Sequence, residues 1–113
     1  MIVFVAGSRI EIVEPNPATL KKYGLSLNDW KEMLACQGYV CPICLKIPSS
    51  GRFVIDHVHV QNYKNMKPEK KKLWVRGICC HYCNRFYLSK GITIIKAQLI
   101  KEYLIDFEKR RPR

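Results

Sequence analysis

Two cysteine pairs, Cys41-Pro42-Ile43-Cys44 and Cys80-His81-Tyr82-Cys83, bracket the run Asp56-His57-Val58-His59, and Asn84 follows the last cysteine directly. No other feature limits the possible folds so strongly. A Cys-x-x-Cys turn brings two thiolates close enough to share one ion, and two such turns complete a tetrahedral zinc shell with bonds of ~2.3 Å. Cys41, Cys44, Cys80 and Cys83 are the predicted ligands. Since they fill all four positions, the zinc is predicted to be structural. It ties a knuckle after the first long helix to the start of a helix carrying Asn84. Cys79 competes with Cys80 as a ligand, but the register to Cys83 favours Cys80. Cys36 reads as a small buried residue. His81 would be a ligand only by displacing a cysteine, and otherwise lies near phosphate.

The 113 residues fit one domain, and 48% of them are hydrophobic. A domain of this size buries only ~60–70% of its unfolded surface, so a cross-linking metal matters to its stability. Twenty Lys and Arg against 9 Asp and Glu give a formal net charge of +11. Such an excess calls for a polyanionic partner, either nucleic acid or an anionic membrane. The apolar run Ile2 to Ala6 is stopped by Gly7, Ser8 and Arg9 and is too short for a membrane span or a secretory leader. The expectation is an intracellular chain with no membrane association. There, reducing conditions favour metal-bound thiolates over disulfides.

Ile2 to Ala6 reads as a short strand or an ordered arm. Glu14-Pro15-Asn16-Pro17 should be a loop, with a short helix from Pro17 to Tyr23 ending at Gly24. Ser26 and Asp29 form a variant capping box with Asp in place of Glu or Gln. Leu27, Trp30, Met33 and Leu34 follow at helical spacing, which predicts a helix to about Gln37 with Trp30 in the core. Arg52 to Val60 and Leu73 to Cys79 read as strands. Between them, Gln61 to Lys72 carries Lys64, Lys67, Lys70, Lys71 and Lys72, and Pro68 argues for a solvent-facing loop. From Ile92 to about Lys109 an apolar stripe recurs at helical period, and Pro112 ends it. That stripe covers this chain's own core or forms a dimer interface, with the first preferred. The predicted fold class is α+β. It comprises an N-terminal arm (1–25), a zinc-bound core (26–91) and a C-terminal helix (92–113).

The groups between and beside the cysteines are of a different chemical kind. The Asp56 carboxylate and the Asn84 carbonyl are hard ligands suited to Mg²⁺ or a similar ion. They leave places for water and phosphate oxygens. His57 would accept a proton from an attacking water. In an ideal strand Asp56 and His57 point to opposite faces, so the strand must bend or end there if the two are to cooperate.

Taken together, Val54-Ile55-Asp56-His57-Val58-His59 and Val75-Arg76-Gly77-Ile78-Cys79-Cys80-His81-Tyr82-Cys83-Asn84 resemble the phage recombination endonuclease VII family of HNH, or ββα-metal, nucleases. Tyr23-Gly24-Leu25-Ser26 and Gln37-Gly38-Tyr39-Val40-Cys41 resemble it too, so the likeness runs from about Tyr23 to Leu88. The resemblance implies a small ββα-metal nuclease core pinned by zinc, and DNA cleavage with Mg²⁺ or Mn²⁺ to 5′-phosphate and 3′-hydroxyl ends. It implies metal ligation by Asp56 and Asn84, His57 as general base, and His59 on the scissile phosphate. Val58 departs from the family's Asp-His-Asp-His pattern, and Tyr87 stands where some members carry an acidic residue near the metal.

Lys70, Lys71, Lys72, Arg76 and Arg85 are the candidate contacts to DNA backbone phosphates, which give affinity without sequence information. The expected function is nicking or double-strand cutting of DNA with weak sequence preference, extending to branched DNA, by a monomer or a homodimer joined through the C-terminal helix. The alternative is a zinc-stabilised nucleic-acid-binding module without catalysis.

Overall fold

The centre of the molecule is an antiparallel hairpin. Its first strand, β3, is Val54–His57, and its second, β4, is Val75–Cys79. In a computed structural model that describes residues 1–111, these strands pair Val54 with Cys79, Ile55 with Ile78 and Asp56 with Gly77. The register then slips between Asp56 and His57, and His57 lies opposite Val75. This bulge is the bend that cooperation between Asp56 and His57 requires, because a bulge re-aims the side chains beside it.

The chain opens with a second hairpin, β1 (Ile2–Val5) against β2 (Ser8–Glu11). The sequence reading anticipated β1 and missed β2. Ala6 and Gly7 both take positive φ, 51° and 80°, as a two-residue hairpin turn demands; Ala at such a position gives little sequence signal. Helix α1 (Pro17–Lys22) starts at Asn16, whose side chain accepts from the Thr19 N–H. Helix α2 (Leu27–Cys36) carries the predicted capping box. Ser26 Oγ accepts from the Asp29 N–H at 3.0 Å, and Asp29 Oδ2 from the Ser26 N–H at 2.9 Å.

Val3, Ile12, Leu20 and Leu25 pack with Trp30 and Leu34 of α2 and with Ile55 and Ile78 of the central hairpin in one core. The N-terminal segment is thus part of the hydrophobic cluster. Gln37, at the end of α2, fixes that helix to β4. Its side-chain amide donates to the Ile78 carbonyl at 2.7 Å and accepts from the Ile78 N–H at 2.9 Å. One side chain so takes the place of a neighbouring strand at the β4 edge. Gly77 leaves it room, since a Cβ there would lie 3.1 Å from Gln37 Oε1.

Four expectations are corrected. Gln61 to Lys72 is not a plain loop: it holds a 3₁₀ turn at Tyr63–Asn65, and helix α3 at Pro68–Leu73. Pro68 occupies the first turn of α3, where its missing N–H costs no intrahelical bond. Cys36 is exposed. The C-terminal helix, α5 (Ile94–Arg110), does not cover the core: none of its 17 residues is buried. Ile94 is 86% exposed and Tyr103 71%. Both central strands are shorter than predicted, and Pro112 lies outside the described residues. No helix among the described residues is long and apolar enough to cross a membrane.

Candidate nuclease site and its zinc-binding frame

Backbone bonds close the knuckle after α2. Leu45 N–H donates to the Cys41 carbonyl at 2.8 Å, and Cys41 N–H to the Lys46 carbonyl at 2.9 Å. Leu45 holds φ of 62° to close this turn. The second pair lies where β4 ends, with Cys80 capping the short helix α4 (His81–Cys83). The Sγ atoms of Cys41, Cys44, Cys80 and Cys83 all lie within 4.8 Å of one another. A tetrahedral shell with ~2.3 Å bonds has edges of roughly 3.8 Å, and the Cys44–Cys80 separation is 3.8 Å. These four thiols therefore fit a zinc ion. Burial raises the Cys41 thiol, but N–H groups of Cys44, Cys80 and Ile43 outweigh it and bring its pKa to about 6. Cys79 packs against Cys41 and Cys83 without being one of the four clustered thiols. Burial first, then the neighbouring Asp56 and Cys41 charges, push it up to about 12, so it packs as a neutral small residue.

At the other end of the hairpin, Asp56 is 4% exposed. Both its oxygens accept from Arg76: Nε donates to Oδ2 at 2.7 Å and Nη2 to Oδ1 at 2.9 Å. Nη2 also donates to the Leu88 carbonyl at 3.2 Å. Leu88 ends a π-helical turn, Asn84–Leu88, that continues α4. Arg76 thereby joins β3 to the segment that Asn84 begins. Asn84 is half-buried, and among the described residues its side-chain amide makes no hydrogen bond. A carboxylate offers about four lone-pair positions, so Asp56 keeps acceptor capacity beyond its bonds to Arg76. A carboxylate and an amide carbonyl are oxygen donors of the hard kind that divalent cations such as Mg²⁺ prefer.

His57 is half-buried and His59 exposed; their rings stack at 4.7 Å between centroids. Burial, and then the neighbouring His59, lower the pKa of His57; the Asp56 charge opposes them only in part. The shift favours the uncharged imidazole, the form that can take a proton. Tyr63 and Tyr23 also lie against it, at 4.6 Å and 5.2 Å. The sequence reading assigned neither tyrosine to the site, because it placed Tyr23 at the end of a short helix and Tyr63 in a solvent-facing loop. Tyr87 lies edge-on to Tyr82 at 5.8 Å, facing a cavity of about 510 Å³ beside Cys44, Cys80 and Cys83.

The candidate phosphate contacts divide. Lys70 is exposed without a recorded partner among the described residues. Lys71 lies over the Tyr63 ring at 5.8 Å, and Arg85 over Phe86 at 5.4 Å. Lys72 is paired with Asp29 at 2.9 Å, and Arg76 is engaged by Asp56.

Comparison with curated proteins and with solved structures gave no match. A family model described as recombination endonuclease VII matches residues 17–107, which takes in α1, the cysteine cluster, Asp56, Asn84 and most of α5. The chain belongs to the recombination endonuclease VII family, a family of nucleases.

Proposed function

We propose that the chain is a metal-dependent DNA endonuclease of the HNH type that hydrolyses phosphodiester bonds. The observation that carries this reading is the bulged end of β3, where Asp56 and His57 sit beside the turn that begins at Asn84. Asp56 and Asn84 would hold Mg²⁺ or Mn²⁺, which when bound supplies positive charge to the phosphate. His57 accepts a proton at an imidazole nitrogen from the attacking water. His59, exposed beside it, orients the scissile phosphate. Lys70, Lys71, Lys72 and Arg85 track the backbone. Arg76 serves first to hold Asp56. The nuclease core spans 26–91, within one domain that ends in the helix 92–113. No recognition helix offers an obvious base-reading set, so sequence preference is weak, and nicked, duplex and branched DNA are all in the substrate class. The uncovered stripe of α5 suits a homodimer better than a monomer. An origin in phage would place the enzyme in the host cytoplasm.

The alternative, a zinc-stabilised nucleic-acid-binding module without catalysis, draws on the grip of Arg76 on both Asp56 oxygens. A plasmid-nicking assay separates the two. Zinc-loaded protein is expected to cut with Mg²⁺ or Mn²⁺ and not with EDTA. His57→Ala is expected to lower cleavage by about 10²–10⁴-fold with zinc content and folding intact. Undiminished cleavage by that variant overturns the mechanism.

A further inference from the structure

We propose that Tyr63, with Tyr23 beside it, is a positioning residue for His57: the two phenol rings fix the orientation of the imidazole toward the phosphate. This rests on the reading of His57 as the base. A catalytic imidazole is commonly oriented by a hydrogen bond at its second nitrogen. Among the described residues, no hydrogen bond holds either nitrogen of His57, so packing must set its ring angle. Packing is abundant there. Tyr63 lies at 4.6 Å and 31°, and Tyr23 at 5.2 Å and 58°.

The two tyrosines come from separate segments that the fold draws together. Tyr23 caps the end of α1, and Tyr63 opens the 3₁₀ turn after β3. Their rings are 6.5 Å apart. Gly24 permits this approach: its φ is +69°, and a Cβ there would overlap the Pro68 carbonyl at the start of α3. α3 is itself tied to the end of β3, since the Val58 N–H donates to the Trp74 carbonyl at 2.8 Å. The Tyr63 hydroxyl donates to the Lys71 carbonyl at 3.3 Å. That leaves the ring, not the hydroxyl, as the group that acts on His57. The Tyr23-Gly24 pair, otherwise a mere helix end, acquires a role in the site.

The test uses the full zinc-loaded chain and a labelled DNA duplex with Mg²⁺. Tyr63→Phe keeps the ring and is expected to retain kcat within about twofold. Tyr63→Leu is expected to lower kcat by roughly 100-fold, the scale of a misplaced catalytic group, while KM and zinc content stay unchanged. Proton NMR of the zinc-loaded chain without Mg²⁺ gives a readout that does not need cleavage. The nuclear Overhauser contacts between the His57 and Tyr23 rings, 5.2 Å apart between centroids, should persist in Tyr63→Phe and weaken in Tyr63→Leu. Wild-type kcat in Tyr63→Leu overturns the proposal, as does a Tyr63→Phe variant equally impaired. If Tyr63→Leu loses zinc, Tyr23→Leu takes its place with the same expectations. If His57→Ala cuts normally, the base reading fails by itself, and unaltered His57–Tyr23 contacts in Tyr63→Leu overturn the positioning independently.

Discussion

The two ends of the central hairpin do different work with different chemistry. At the Val54–Cys79 end, β4 runs into four clustered thiols, two of them fully buried, that fit one soft ion and leave it no open position. At the His57–Val75 end, a bulge lies beside a buried carboxylate held by Arg76 and a half-buried imidazole. The same two strands carry both. In a chain with a thin core, this arrangement separates the group that fits the structural metal from the groups proposed to act on the substrate. Damage at the thiol end should appear as lost stability, and damage at His57 as lost rate.

The largest expected effect lies at the thiol end. Structural zinc contributes ~10–16 kcal/mol in zinc-finger peptides, against a total stability of ~5–15 kcal/mol for an ordinary domain. Cys41→Ser, or a strong chelator, should therefore abolish the cooperative unfolding transition seen by circular dichroism. Cleavage should disappear with it. His57→Ala is the mirror case, with rate lost and the transition kept. A zinc-free Cys41→Ser protein that melts like the wild type would break the division between the two ends.

Arg76 sits between these extremes, because it belongs to the open end yet acts on the fold. Removing it leaves Asp56 buried with two unanswered oxygens. Breaking a buried pair costs ~3–5 kcal/mol, and the partial exposure of the Arg76 side chain, 35%, reduces this through solvent screening. Arg76→Met should thus lower stability in urea by about 2 kcal/mol with zinc still bound. It should also slow cleavage, since Asp56 and the Asn84 turn lose their link. A variant with unchanged stability would show that solvent compensates Asp56 freely, and that the site is less enclosed than its geometry implies.

How far these two ends were legible in the sequence follows from how local each signal is. The zinc ligands are set by spacing within two short turns, so Cys41, Cys44, Cys80 and Cys83 could be named from the chain alone. The capping box at Ser26 and Asp29 is equally local. The Asp56–Arg76 pair was invisible because it depends on register across the hairpin, and Arg76 read as one more basic residue for DNA. Tyr23 and Tyr63 meet only because Gly24 lets α1 and α3 approach, which no periodicity encodes. α2 and α5 make the same point about helices. Both show an apolar stripe, yet α2 buries Trp30 and Leu34 while α5 buries nothing. Periodicity tells that a face is apolar and not what covers it.

The smallest effect expected serves as the control for the comparison. Ser26→Ala removes the hydroxyl that caps α2 by accepting from the Asp29 N–H, a bond to neither the thiols nor His57, and cap losses of this kind cost about 1 kcal/mol. Cleavage should not change. The acid side of the same cap can be followed separately. Asp29 is lowered from 3.8 to about 2, first by the hydrogen bond from Lys72 and then by the Ser26 N–H. Its folded pKa is depressed, so its contribution to stability is fully present above the ordinary carboxylate value. That contribution is lost as pH falls through about 2. Asp29→Asn should remove this acid-sensitive part while leaving Ser26 in place, and its urea midpoint should converge on that of the wild type as pH falls. It also frees Lys72, so a gain in DNA affinity at low salt would mark that lysine as a phosphate contact held in reserve by the helix cap, and an unchanged affinity would confine it to the frame.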